Sequence, residues 1–171
     1  MAHVTHLAAG ATELDQTWGV RPGFYAVFMA DFNASIARVD PVLIELCRLR
    51  MAQLMSSELD LSLRYQPAVT AGLSEAKIAA LPQYSSSPLF SAAERVCIEF
   101  AELFVIQSSN IGDDDVARVQ AAIGSEQLIY FVKALSVVDQ FQRGTVALGV
   151  RPGPRVPPTL PDFRLRELAS A

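Results

Sequence analysis

Glu45, Ser57, Asp60 and Arg64 are the residues of this chain whose types and spacing could support chemistry, and all four fall in one stretch, DPVLIELCRLRMAQLMSSELDLSLRY, residues 40–65. A carboxylic acid set in a largely apolar wall holds its proton more tightly and can act as a general acid or base. Glu45 is placed for that role. Arg64 could grip a substrate carboxylate in a two-pronged contact, with Asp60 and Ser57 orienting and Tyr65 at the rim. On that reading the chain is a cofactor-free enzyme that moves a proton on, or decarboxylates, a small organic acid. The same residues also have a purely structural reading. Ser57-x-x-Asp60 is a helix N-cap with an acidic third residue, Asp60 and Arg64 are an i,i+4 pair, and Glu45 and Arg48 an i,i+3 pair. Both readings stand at this level, and whether the chain is an enzyme stays open.

Other reactive residue types are sparse. The two cysteines, Cys47 and Cys97, each lie inside an apolar helical pattern and read as buried free thiols, which suits a reducing cytoplasm. The two histidines, His3 and His6, lie in the N-terminal tail, so the body of the chain has no imidazole for acid–base work or metal binding. The run Asp113-Asp114-Asp115 resembles a metal site only superficially. Successive residues point around a helix, so the run reads as acidic capping of a helix N-terminus. No metal and no cofactor is expected.

Helices must position these groups. Arg21-Pro22-Gly23 opens one, with Phe24, Val27, Phe28, Phe32 and Ile36 recurring at helical spacing as core or as a contact with another copy. Asp40-Pro41 starts the next, with Asp as N-cap and Pro at its first position. Its apolar residues surround most of its circumference, so it should be central, carrying Glu45, Arg48 and Arg50 inward. After a break at Ser56-Ser57, a further helix is predicted from about Ser57 towards Ala71, stopping at Gly72, with Pro67 kinking it or ending it early. Ser74 caps a short helix ended by Pro82, and Ser91 with Glu94 forms a capping box. Gly124 closes the acidic helix, and Ser125 caps the last long one. That helix reaches about Leu148, with Leu128, Phe131, Val132, Leu135, Val138 and Val146 facing inward.

No alternating strand pattern occurs. The prediction is a single all-α domain, a bundle of about six to eight helices with its core at about 21–150. Residues 1–20 and 151–171 are tails, the second a proline-rich arm lying over a neighbour.

The chain has 171 residues, 51% of them apolar, with a mean hydropathy of +0.27. That is long enough to bury a sizeable core and apolar enough to suggest association with copies of itself. A net charge of −4 and pI near 5.1, with no basic run, argue against nucleic acid as a partner. No segment has the length and apolarity of a membrane span, and the N-terminus lacks the pattern of a signal peptide. The expected location is the cytoplasm.

The frame of Glu45, Ser57, Asp60 and Arg64 resembles the active-site frame of the carboxymuconolactone decarboxylase / alkylhydroperoxidase D superfamily. There a Glu is followed after twelve residues by Cys-x-x-Cys and then, four residues on, by His. Here Glu45 stands at the Glu position, Ser57 and Asp60 at the two Cys positions, and Arg64 at the His position. Further pieces of the resemblance are AGLSEAKIAAL, SPLFSAAERVCIEFAELF and DQFQRGTVALGV. It implies an alkylhydroperoxidase D-like helical bundle that associates as trimers or hexamers, a dimer being the further possibility. In redox members the two cysteines attack and resolve a peroxide or disulfide while Glu and His relay the proton, and a hydroxyl cannot cycle through sulfenic acid and disulfide. The resemblance therefore implies a non-redox protein. It is either a lyase on a small carboxylate, as in the decarboxylase branch acting on a carboxylated lactone, or a non-catalytic oligomeric protein that keeps the scaffold with a degenerate site. Residual peroxidase activity, which would have to run through Cys47, is the third possibility.

Overall fold

In the computed structural model, which describes residues 13–153, every regular element is helical. The helices are α1 (Glu13–Trp18), α2 (Pro22–Ile36), α3 (Pro41–Met55), α4 (Glu58–Ser62), α5 (Gln66–Thr70), α6 (Glu75–Ala79), α7 (Ala92–Gln107), α8 (Asp113–Ile123) and α9 (Ser125–Ala147). These are nine α-helices among the described residues, against the six to eight expected. The surplus comes from α1, which forms inside the expected N-terminal tail, and from a break in the helix expected after Ser57. His3, His6 and residues 154–171 lie outside the described residues.

The centre is α3. Asp40 caps it, its Oδ1 accepting from the Leu43 amide at 2.8 Å, and Pro41 needs no hydrogen-bond partner in the first turn. From Leu43 through Leu49 every side chain is buried, so this helix is enclosed rather than laid on a core. It packs against α7 on one side and α9 on another, while α2 covers α9 and α8 bridges α7 and α9. It ends at Ser56, which adopts φ 53°, the left-handed conformation of a helix stop.

The predicted helix over 57–71 is instead two short helices, α4 and α5, with residues 63–65 extended between them. Pro67 explains the break. It has no N–H to offer the Leu63 carbonyl, so a continuous helix would leave that carbonyl unmade. Both backbone groups released here, the Leu63 carbonyl and the Tyr65 amide, find partners on α3.

Three smaller expectations also shift. Of the α2 stripe, Phe28, Phe32 and Ile36 are buried, but Phe24 and Val27 are 56% and 72% exposed. Val146 is 43% exposed as well, on the outer face of α9, next to the buried Thr145. Ser125 is the first residue of α9 and not its cap; its hydroxyl accepts from Gln120 Nε2. At the other end of α9, the Trp18 indole lies directly on Gly144. A β-carbon there would come within 2.6 Å of the ring.

Candidate functional site

Three of the four residues singled out by spacing come together, around a fifth side chain. Arg48, one turn along α3 from Glu45, is 2% exposed, with Glu45 at 1% and Asp60 at 0%. Its guanidinium has five N–H donors, and each has an acceptor. Nε donates to Glu45 Oε2 at 2.6 Å and Nη2 to Glu45 Oε1 at 2.9 Å. The second Nη2 hydrogen goes to the Leu63 carbonyl at 2.9 Å, and Nη1 donates to the Asp60 carbonyl at 2.9 Å and to Asp60 Oδ1 at 3.3 Å. The pair that reads as an ordinary i,i+3 contact is thus a buried, two-pronged ion pair at the middle of the fold.

Glu45 is equally committed. Besides the fork to Arg48, its Oε1 accepts from the Tyr65 amide at 3.0 Å. The extended residues 63–65 are therefore stitched to α3 by one donor and one acceptor, both freed by the break at Pro67. Burial works against the charge of Arg48, but Glu45 and then Asp60 outweigh it and hold the guanidinium protonated.

Ser57 caps α4, as its position suggests, yet it is 2% exposed rather than at the surface. Its Oγ donates to Asp60 Oδ2 at 2.6 Å. Helix α9 closes the far side. Thr145 Oγ1 lies 3.5 Å from Asp60 Oδ2, and Gln142 Nε2 donates to the Arg48 main-chain carbonyl at 2.9 Å. Burial raises the pKa of the Asp60 carboxyl, against the opposing pull of Arg48, Ser57 and Gln142.

Arg64 departs from the expected convergence. The i,i+4 pair with Asp60 does not form, because α4 ends at Ser62 and the chain is extended by Leu63. Arg64 turns outward, forks onto Glu75 at 2.8 and 3.0 Å, and donates to the carbonyls of Leu61 and Leu63. The Glu75 side chain is 72% exposed. Tyr65 contributes its backbone amide to Glu45.

The thiols lie elsewhere. Cys47 and Cys97, on the facing helices α3 and α7, are both free and fully buried. Burial pushes the Cys47 thiol far up, with the charges of Cys97 and Glu94 adding to it, and pushes Cys97 up to about 12. Thiols of that kind are poor nucleophiles. The acidic run at the start of α8 caps it, with Asp115 accepting from the Gly112 amide at 3.0 Å and from Arg118. Among the described residues no group of His, Cys, Asp and Glu has the arrangement of a metal site.

Sequence reasoning placed Glu45 and Arg48 on the buried helix but did not make Arg48 the hub, and it did not reach Gln142 or Thr145. The available signal was a Glu and an Arg one turn apart inside a helix apolar nearly all round. Two such charges cannot be buried unless they meet.

No family model matches the chain, and no curated protein matches it at a significant level. Solved structures do. A protein of unknown function from Agrobacterium tumefaciens, provisionally described as an AhpD antioxidant defence protein, superposes with a TM-score of 0.72 at 18% identity, covering 83% of this chain and 99% of that one. A Cys-to-Ala variant of the debrominase Bmp8, solved with 2,3,4-tribromopyrrole, superposes with a TM-score of 0.70 at 14% identity, covering 81% and 75%. Likeness at this identity shows the fold, and the fold of this chain is the all-α AhpD-like fold.

Proposed function

We propose that this chain is a non-redox, non-catalytic homo-oligomeric protein on the AhpD-like scaffold, with a structural charge cluster where superfamily relatives carry a reactive site. The observation that carries this reading is the saturation of Arg48 and Glu45. All five guanidinium donors and both Glu45 oxygens are engaged within the protein. Neither is left to clamp an anion or relay a proton, and Arg64 is engaged by Glu75. Association with copies of itself is supported by Phe24, Val27 and Ile129, large apolar groups left exposed on α2 and α9. A reducing, cytoplasmic setting is supported by the two free thiols.

The test is a pair of assays on the full chain. Peroxide reduction with a dithiol as electron donor is expected to stay at the level of a Cys47→Ser, Cys97→Ser chain. Calorimetric titration with small carboxylates, a carboxylated lactone included, is expected to give no saturable heat. Saturable binding that disappears in Glu45→Gln would overturn the proposal, as would peroxide turnover lost in Cys47→Ser. Oligomeric state is read by light scattering, where Val27→Glu is expected to lower the mass.

A second reading is favoured by the pairing of Asp60 with Ser57. A buried carboxyl with a raised pKa beside a hydroxyl is the composition of a general acid. On that reading the chain is a cofactor-free lyase or proton-transfer enzyme on a small carboxylate, with Asp60 rather than Glu45 carrying the proton. The same calorimetry separates the two readings.

A further inference from the structure

We infer that Asp60 is held as a neutral carboxylic acid in the folded protein at neutral pH, so that the cluster joining α3, α4 and α9 is a latch weakened by alkali. The first support is charge balance. Two carboxylates, Glu45 and Asp60, share one guanidinium, and none of the three is more than 2% exposed. Fully ionised, the cluster would hold an uncompensated negative charge in the interior, which is among the most costly arrangements a fold can contain. One proton removes it.

Geometry then says which carboxyl takes the proton. Glu45 receives three N–H donors, two from Arg48 and one from the Tyr65 amide, all at 2.6–3.0 Å. Both its oxygens face N–H hydrogens, so a hydrogen of its own on either would meet a donor and not an acceptor. Asp60 touches the guanidinium through a single longer contact of 3.3 Å at Oδ1. Its other oxygen, Oδ2, faces two hydroxyls and no cation. The one hydroxyl hydrogen of Thr145 is directed at the Gln142 carbonyl at 2.9 Å, so lone pairs of Thr145 Oγ1 and Asp60 Oδ2 confront each other at 3.5 Å. A hydrogen on Asp60 Oδ2 directed at Thr145 Oγ1 resolves that confrontation, while Ser57 Oγ still donates to the same oxygen at 2.6 Å. The direction in which burial moves the Asp60 carboxyl agrees.

Among the described residues, no other ionisable group compensates from the elements packed around it. On α3 the facing charges are Glu45 and Arg48 themselves. On α4, Glu58 pairs outward with Arg151, and Arg64 beyond it pairs with Glu75. Helix α9 presents the neutral Gln142 and Thr145 to the cluster, while its Asp139 and Arg143 pair with each other nearer the surface. The sign follows. An acid whose folded pKa is raised gives a stability contribution that is whole below its unfolded pKa, about 3.8, and is lost as pH rises through the folded value.

The test is denaturant unfolding of the full chain against the Asp60→Asn variant from about pH 3, below the unfolded value, to about pH 9, with carbon-13 NMR of labelled aspartate carboxyls as a second readout. Asn reproduces the shape and neutrality of the acid. The variant is expected to match the wild-type midpoint at the acid end and exceed it increasingly towards the alkaline end. One buried aspartate carboxyl resonance is expected at the position of a protonated acid at pH 7, absent from the variant. Parallel stability profiles would overturn the inference. So would an aspartate spectrum fully ionised at pH 7, a readout that stands even if the variant fails to fold.

Discussion

Two arginines sixteen positions apart, Arg48 and Arg64, each fork onto a glutamate, and the contrast between them organises the molecule. Arg48 and Glu45 are sealed inside, with both side chains at 2% exposure or less, whereas Arg64 and Glu75 meet at the surface at 23% and 72%. The hydrogen-bond geometry is nearly the same. What differs is the consequence of removing one partner. A surface ion survives alone in water, so an exposed pair contributes at most about 1 kcal/mol after screening. A buried ion left alone has no solvent to turn to, and its loss is felt through the whole cluster. Of the two forks, the buried one, which ties α3 to residues 60–65, is the more committed.

The strongest way to break the contrast is Arg48→Ala. It strands Glu45, Asp60 and the Leu63 carbonyl together, with an expected loss of about 3–5 kcal/mol by denaturant unfolding. A loss below about 1 kcal/mol would mean that water already reaches the cluster. Glu45→Gln keeps the shape but removes the charge facing Arg48, and a loss of about 1–3 kcal/mol is expected. Ser57→Ala removes both the α4 cap and a partner of Asp60, and should cost about 1 kcal/mol, with hydrogen exchange accelerated in residues 58–62. Glu75→Ala should be the mildest, below about 1 kcal/mol and shrinking with added salt. The hydrogen bond from Arg64 lowers the Glu75 pKa. Its contribution is therefore present above about 4.5, the unfolded value, and is lost as pH falls through the folded one. A Glu75→Ala profile differing from wild type only at the acid end would contradict that assignment.

The all-α fold was readable because local signals agreed with the global arrangement. Asp40-Pro41 starts α3, the Ser91–Glu94 box starts α7, and Gly124 ends α8, each through a cap that acts within four residues. The site was only half readable. Glu45 and Arg48 announced themselves as charges on an apolar helix, but the direction of Arg64 depended on whether α4 continued past Ser62. That was decided by Pro67 withholding an amide and by tertiary partners for what the break released. Thr145 lies 85 positions beyond Asp60, and no periodicity connects them. Phe24 and Val27 share the helical spacing of Phe28 and Phe32, but spacing alone does not tell a face against α9 from one a few tens of degrees around the helix.

The placement of the two thiols gives the molecule an internal clock. Cys47 and Cys97 have no exposure and sit on the two helices that form its central contact, α3 and α7. A water-soluble alkylating reagent can meet them only when those helices part. The rate of labelling under native conditions therefore counts openings of the central contact, without any probe having to be introduced. Surface fraying at α4 or α6 would leave that count untouched.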